Sequence, residues 1–372
     1  MTKRALLLGA GASRAAGYPL ASELMTTIER DAIHSNNIQL RNVWDRWLSI
    51  RNSAPPELRI LLEHPNPEVT LSFLDLCRIC FKEGLVERFK EDRRDEAVSD
   101  ALSRNDIRDA LYLSTAHAWI DRAGTAVLRL VDSLNEYLTY RQNLDIESPS
   151  SRSYLRDLFG SLSDGDVVMT LNWDAAADRS LFEIGRWSPR DGYGFARRLV
   201  REFSANSADL PARILERSKI ILLKLHGSVG WLTENDHHLA FDPHFLQTLF
   251  GDEVDEVIID AETGPYGDGR PLITHPSYLK TLQNSYVREI WRCADEAIRS
   301  VQKIDIWGYS LPESDVAVSL LLAPLRWRAE KREVEICVHD PNGEVLDRYR
   351  SFFNGRLTLD KSTLANAEER PS

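Results

Sequence analysis

Nothing in the 372 residues approaches the run of about 18 consecutive apolar residues that a membrane helix requires. The start, "MTKRALLLGAG", carries basic residues but only a short apolar run that breaks at glycine. A signal peptide would need a longer apolar segment and a cleavage site, so none is expected, and the expected compartment is the cytoplasm. Cysteine is scarce. Cys77, Cys80, Cys293 and Cys337 are too few, in a chain of this size, to make a disulfide framework. A surplus of positive charge is missing as well: the net charge is −11 and the pI about 5.4. That balance argues against direct nucleic-acid binding, which calls for a basic surface. The basic clusters within 196–219 and in "RWRAEKR" (326–332) are interleaved with acidic residues and read as solvated helix faces. No internal repeat is visible, and the tail 361–372 has the composition of a frayed end.

What is present is an ordinary globular composition, 43% hydrophobic and 28% charged, in a chain long enough for one large domain or two moderate ones. "RALLL" (4–8) has a buried-strand pattern and runs into a glycine turn. "LASELMTTIERDAI" then repeats apolar residues at helical spacing, with Leu20, Leu24, Ile28 and Ala32 on one side. From 36 to 160 the pattern is helical with no convincing strand, which predicts a helical insertion or subdomain. Strand-like runs return at 166–172, 219–227, 270–276, 303–309 and 333–340, with helical patterns at 175–184, 284–301 and 313–330 between several of them. Strand, loop, helix and strand again implies βα units, a parallel sheet and helices on both faces. The predicted α/β domain is therefore 1–35 with 161–360.

Ligands of such sheets sit beyond the carboxyl ends of the strands, and the polar motifs fall just there. In "LLLGAGASRAAGYPL" (6–20), Gly9 and Gly11 allow close backbone approach, and a following helix would aim its amides at a pyrophosphate. The loop departs from the dehydrogenase fingerprint: Arg14 stands where the third glycine belongs, and the later acidic residue is missing. "TLNWD" (170–174) places Asn172 and Asp174 after a strand. Asp174 also suits a helix start, whereas the Asn172 amide suits a ribose hydroxyl or a reacting water. "LKLHGS" (223–228) puts His226 where a residue titrating near neutral pH could take a proton. "IWGYSLPESD" (306–315) offers Gly308, a hydroxyl at Ser310 and a second helix start, and "VHDPN" (338–342) ends the last strand-like run with Asp340 and Asn342. Trp173, Trp231 and Trp307 adjoin three of these motifs and read as core packing. The pair His237–His238 reads as surface loop, since adjacent side chains of an extended chain point apart.

Taken in order, "GAGAS" with "GYP", "TLNWD", "KLHGS", "WGYSLPESD" and "VHDPN" resemble the motifs of the sirtuin (silent information regulator) superfamily of NAD-consuming enzymes. The resemblance skips 36–160 and is closest to bacterial sirtuin-like NAD hydrolases of anti-phage defence, whose P-x-x-x-P…K segment is similar to "PLITHPSYLK" (271–280). It implies a Rossmann-like parallel sheet flanked by helices, with a large helical insertion. It further implies that NAD is the substrate, with Asn172, His226 and Asp174 in the catalytic group. The NAD-binding residues would be Gly9, Ala10, Gly11, Ser13, Tyr18, Pro19, Thr170, Gly308, Tyr309, Ser310, Asp315 and Asp340. Sirtuin deacylases carry a zinc ribbon with two Cys-x-x-Cys pairs; here only Cys77 and Cys80 form one, within a helical pattern, so no zinc is expected.

The reaction so implied is glycosidic cleavage of NAD, with Asn172 fixing the ribose or a water and His226 removing a proton. Two other readings stay open: a module that holds NAD or ADP-ribose without cutting it, and a residual NAD-dependent deacylase. Family logic adds control by oligomerisation, or by a partner such as an ATPase or nucleic-acid sensor, because unchecked NAD loss would harm the host.

Overall fold

A computed structural model describes residues 4–14, 18–20, 23–34, 38–63, 70, 153–189, 191–194, 218–233, 239–241, 270–273, 284–313 and 315–361. In chain order the first elements are β1 (Arg4–Leu8), α1 (Ala10–Ser13), α2 (Leu24–His34), α3 (Ile38–Ser53), α4 (Pro56–Leu62) and α5 (Ser153–Gly160). Next come β2 (Val167–Thr170), α6 (Ala176–Glu183), β3 (Ile221–Lys224), β4 (Gly227–Thr233), β5 (Ala240–Phe241) and β6 (Arg270–Ile273). The last are α7 (Ser285–Ser300), β7 (Lys303–Trp307), α8 (Val316–Glu330), β8 (Glu335–His339), α9 (Gly343–Phe352) and β9 (Thr358–Asp360).

By its internal contacts the chain divides into two compact units. The larger comprises Met1–Leu20, Leu138–Thr274 and Thr281–Ser372, the smaller Ala21–Tyr137 and His275–Lys280. These limits differ from the expected 36 and 160: α2 belongs to the smaller unit and α5 to the larger. In the smaller unit α2 packs on α3, burying Ile28 and Ala32 of α2 and Trp47 and Ile50 of α3. Pro56 opens α4, where its missing N–H costs nothing. Cys77 and Cys80 lie outside the described residues, as do His237 and His238.

The larger unit is built on a six-stranded sheet in the order β3-β2-β1-β7-β8-β9, parallel throughout. Its central strands are largely apolar because helices cover the sheet: Ala5, Leu6, Leu7 and Leu8 of β1 are all buried, as are all four residues of β2 and β3. The chain moves from β1 outward through β2 to β3, then returns to the other side of β1 for β7, β8 and β9. The order therefore reverses between β1 and β7, the switch point where Rossmann-like sheets open a crevice. One register row crosses the carboxyl edge of the sheet: Lys224, Thr170, Leu8, Trp307, His339 and Asp360.

Two strand expectations are corrected. The described part of the run 270–276 is not in the parallel sheet. Arg270–Ile273 pairs antiparallel with β4, at one edge of a second sheet ordered β5-β4-β6. Pro271 explains the edge position, since it has no N–H for an inner ladder. Nor is 333–340 the last strand, because α9 and β9 follow it and extend the sheet. Helix starts follow ordinary capping: Asn284 accepts from the amides of Tyr286 and Val287, Asp315 from Val318 and Asn342 from Glu344. Helix α7 buries Val287, Ile290, Ala294, Ala297 and Ile298, one face at helical spacing.

Candidate active site

The residues that follow the carboxyl-edge row form the site. Gly9 and Gly308 come one position after it, past the ends of the strands either side of the switch point, and Asn172 and His226 come two positions after it, past the ends of neighbouring β2 and β3.

The glycine turn is held by the chain itself. Gly9 N–H donates to the Trp307 carbonyl at 2.9 Å, and Gly11 N–H donates to the Gly308 carbonyl at 2.9 Å. A methyl group on Gly9 would lie 2.5 Å from Tyr309 Cα. Gly308 adopts φ +60°, where a side chain is strained. The close approach expected of the glycines is therefore made by the backbone of the β7–α8 loop. Helix α1 is four residues long, and its Gly11 and Ala12 amides already donate, the latter to Gly9 O at 2.9 Å.

Asn172 is fixed by its own donors. Its Nδ2 donates to the Gly9 carbonyl at 2.9 Å and to Ser13 Oγ at 2.8 Å, and its backbone N–H donates to Thr170 Oγ1 at 3.1 Å. Of the side-chain amide, only Oδ1 remains for a ligand to use. Ser13 donates in turn to the Asp174 carboxylate, which also accepts from the Ala176 amide at 2.9 Å and so ties down the start of α6. Burial pushes the Asp174 carboxyl above its ordinary value, against the opposing pull of Lys224 and these hydrogen bonds.

Beneath this loop lies a charged network. Lys224, fully buried at the end of β3, donates to the Asp174 carbonyl and to Asp178 Oδ2 at 2.7 Å. The Tyr193 hydroxyl donates to the other Asp178 oxygen. Burial and the Asp178 carboxylate push this phenol well above its usual value, so Tyr193 keeps its proton. Its ring packs edge-on to Trp187 and Trp231.

His226 sits in the turn between β3 and β4, nearly buried, with Nε2 4.0 Å from Asp315 Oδ2. Asp315 accepts from Val318 N–H through its other oxygen, so one carboxylate both caps α8 and faces the imidazole. Leu225, just before the histidine, donates its N–H to Thr170 O at 2.9 Å and accepts from the Trp291 indole at 2.7 Å. The contacts close a ring: Asn172 to Gly9, Gly11 to Gly308, Asp315 to His226, and Leu225 back to Thr170.

Among the other expected residues, Tyr18 and Tyr309 are buried, Pro19, Ala10 and Gly11 half-buried and Ser310 exposed. Thr170 is buried under Asn172. Asp340 is buried, its carboxylate accepting from Asn342 N–H at 2.9 Å, and burial pushes its carboxyl above the ordinary value. Asn342 caps α9. Trp231 is fully buried, and Trp307 stacks on His339 with 3.7 Å between ring centroids.

Sequence reasoning missed Lys224, Asp178 and Tyr193, although a lysine inside "IILLKL" is a signal: a charge in a strand buried on both faces needs a partner. It also missed a cluster on β7 and β8, where Asp305, Cys337 and His339 converge. Burial raises the Asp305 carboxyl, but hydrogen bonds from His339 and Arg4 outweigh it and the net shift is downward. Burial and the Asp305 charge push the Cys337 thiol up to about 11.

No protein-family model matches this chain, and no curated protein matches it. Among the described residues no helix is long and apolar enough to cross a membrane.

Proposed function

We propose that this chain cleaves NAD to nicotinamide and ADP-ribose. The observation that carries the reading is His226, faced by Asp315 and following the strand next to the one that Asn172 follows, at the carboxyl edge of a parallel sheet whose switch point holds the Gly11–Gly308 contact. A crevice of this kind suits a dinucleotide, and an imidazole backed by a carboxylate suits proton transfer.

Asn172 has spent both side-chain donors on Gly9 and Ser13, so it acts through Oδ1, accepting from a ribose hydroxyl or the attacking water. His226 takes the proton that this group releases as nicotinamide leaves C1′ and positive charge spreads onto the ring oxygen. Asp315 orients the imidazole and stabilises its charged form. Lys224, Asp178 and Tyr193 hold the Asn172–Asp174 loop without touching substrate. The motif order supports a sirtuin-like NAD hydrolase that acts as a regulated effector of bacterial anti-phage defence. Such an enzyme would be restrained by self-assembly or by a partner, an ATPase or phage sensor, until triggered.

The test is incubation of the purified protein with NAD, alone and with the products of neighbouring genes, with chromatography of the products. Nicotinamide and ADP-ribose should appear in equal amounts. Asn172→Ala and His226→Ala should each reduce release by at least about 100-fold, the range for loss of a positioned acid–base group, while thermal unfolding stays cooperative. Undiminished turnover by the folded double variant would overturn the mechanism. Tight NAD binding without nicotinamide release under every condition would leave a binding module instead.

A further inference from the structure

We propose that Asp305, Cys337 and His339 form a binding site for one divalent transition-metal ion, zinc being the ion their donor set suits. A parallel pair of strands brings them together: Asp305 is the register partner of Cys337, and His339 lies two positions further along, beside Trp307. Side chains two apart on a strand share a face, so all three project from one side of the sheet. All three are buried, and their ligand atoms lie within 4.8 Å of one another. The set of one thiolate, one imidazole and one carboxylate matches the nitrogen, sulfur and oxygen ligands that zinc takes.

The distances fit a bridging ion better than direct contact. The hydrogen bond between His339 Nε2 and Asp305 Oδ1 is stretched to 3.5 Å, longer than the ~2.7–3.2 Å of a close one. Two ligand atoms each about 2.0–2.1 Å from a tetrahedral ion stand roughly 3.3 Å apart. The atoms that would not touch metal are already held. His339 Nδ1 faces Asp360 Oδ2 at 3.2 Å, and Arg4 Nε donates to Asp305 Oδ2 at 2.8 Å. A histidine whose second nitrogen is fixed by a carboxylate is the usual outer-shell arrangement around a metal. Trp307 stacks on the imidazole with 2° between the planes and fixes its tilt.

Charge closes as well. The Asp305 carboxylate and a Cys337 thiolate bring two negative charges to the ion, which a divalent cation neutralises. Nearby, Lys303 and Glu335 pair with each other at 3.1 Å. On binding, the Cys337 S–H bond is exchanged for a sulfur–metal bond and its proton passes to solvent, with no change of oxidation state. Three protein ligands leave a fourth position for water. His339 O accepts from Gly308 N–H at 3.2 Å, so the ion would brace β7, β8 and β9 directly under the glycine contact. The spacing of these residues over two strands is unlike a zinc ribbon. The site is separate from Asn172 and His226 and does not depend on NAD cleavage.

The test uses the full chain, stripped with chelator and titrated with Co²⁺ under absorption spectroscopy. One equivalent should bind with a thiolate-to-cobalt charge-transfer band that Zn²⁺ abolishes. Cys337→Ser should lose the band, and Asp360→Asn should weaken binding about 10- to 100-fold. A wild-type protein without the band, or a Cys337→Ser protein that keeps it, would overturn the site. If Cys337→Ser does not fold, X-ray absorption of the zinc-loaded wild type decides. One sulfur among nitrogen and oxygen neighbours supports the proposal; none, or more than one, refutes it.

Discussion

Asp174 shows how one side chain can be legible as a type and illegible in its bonds. Its position after a strand reads as a helix start, and the Ala176 amide confirms that role. That Ser13 and Lys224 also converge on it could not be read, because strand pairing alone brings Lys224 from 50 positions away. The same holds for Asn172, whose partner Gly9 is 163 positions distant. The burial that raises the Asp174 carboxyl has a measurable consequence. A carboxyl with a raised folded value favours the protonated form in the fold. Its stabilising contribution is therefore complete below the unfolded value and is lost as pH rises through the folded one. Asp174→Asn keeps an oxygen for the Ala176 amide but cannot ionise. Urea unfolding over a pH series should show the wild type losing stability relative to Asp174→Asn as pH rises from 3.8, with no further change above the raised value. A difference independent of pH would mean that Asp174 titrates as if exposed.

Whole elements were readable where burial imposes a simple rule. Strands β1, β2, β3, β7 and β8 are mostly apolar and mostly buried because both faces are covered, with Lys224, Asp305 and His339 as buried polar exceptions, and α7 shows one apolar face because only one is. The elements that escaped lack such a signature. Strand β9 is three residues with no buried position, and α9 turns only Val345, Leu346 and Tyr349 inward from a charged segment. The run 270–273 was seen but given to the wrong sheet, since an apolar run does not name its partner. What joins β3 to α6 is the Lys224–Asp178 pair, with both side chains fully buried. Breaking such a pair from one side leaves an uncompensated buried charge, a cost of about 3–5 kcal/mol, whereas replacing both partners by apolar groups is often near neutral. Lys224→Met should therefore lower unfolding stability by about 3–5 kcal/mol. The double variant Lys224→Met with Asp178→Leu should recover most of the loss, and the coupling can be read from a denaturation cycle. Strictly additive losses would show that the two charges do not depend on each other.

At the scale of the molecule, the helical segment between the glycine turn and β2 reads from sequence as one block, 36–160, because helical periodicity does not say which body a helix packs on. The contacts divide it. Helix α5 at its end packs on α6 of the larger unit, with Leu155 and Phe159 almost wholly buried, and the Tyr154 hydroxyl donates to Ala12 O at 3.1 Å beside the glycine turn. Burying one large apolar side chain is worth about 1.5–3 kcal/mol, and domains are stable by only about 5–15 kcal/mol. Loss of Leu155, Phe159 and the Tyr154 anchor together removes a large part of that margin. Two deletions should consequently behave differently. Removing 36–160 takes α5 away and should yield a chain without a cooperative thermal transition. Removing 21–137 and joining Leu20 to Leu138 by a short glycine–serine linker leaves α5 in place and should preserve a cooperative transition. Circular dichroism and calorimetry on the two chains measure this directly. Equal stability of the two would show that α5 contributes nothing to the sheet domain, and that the boundary read from sequence at 160 is the physical one.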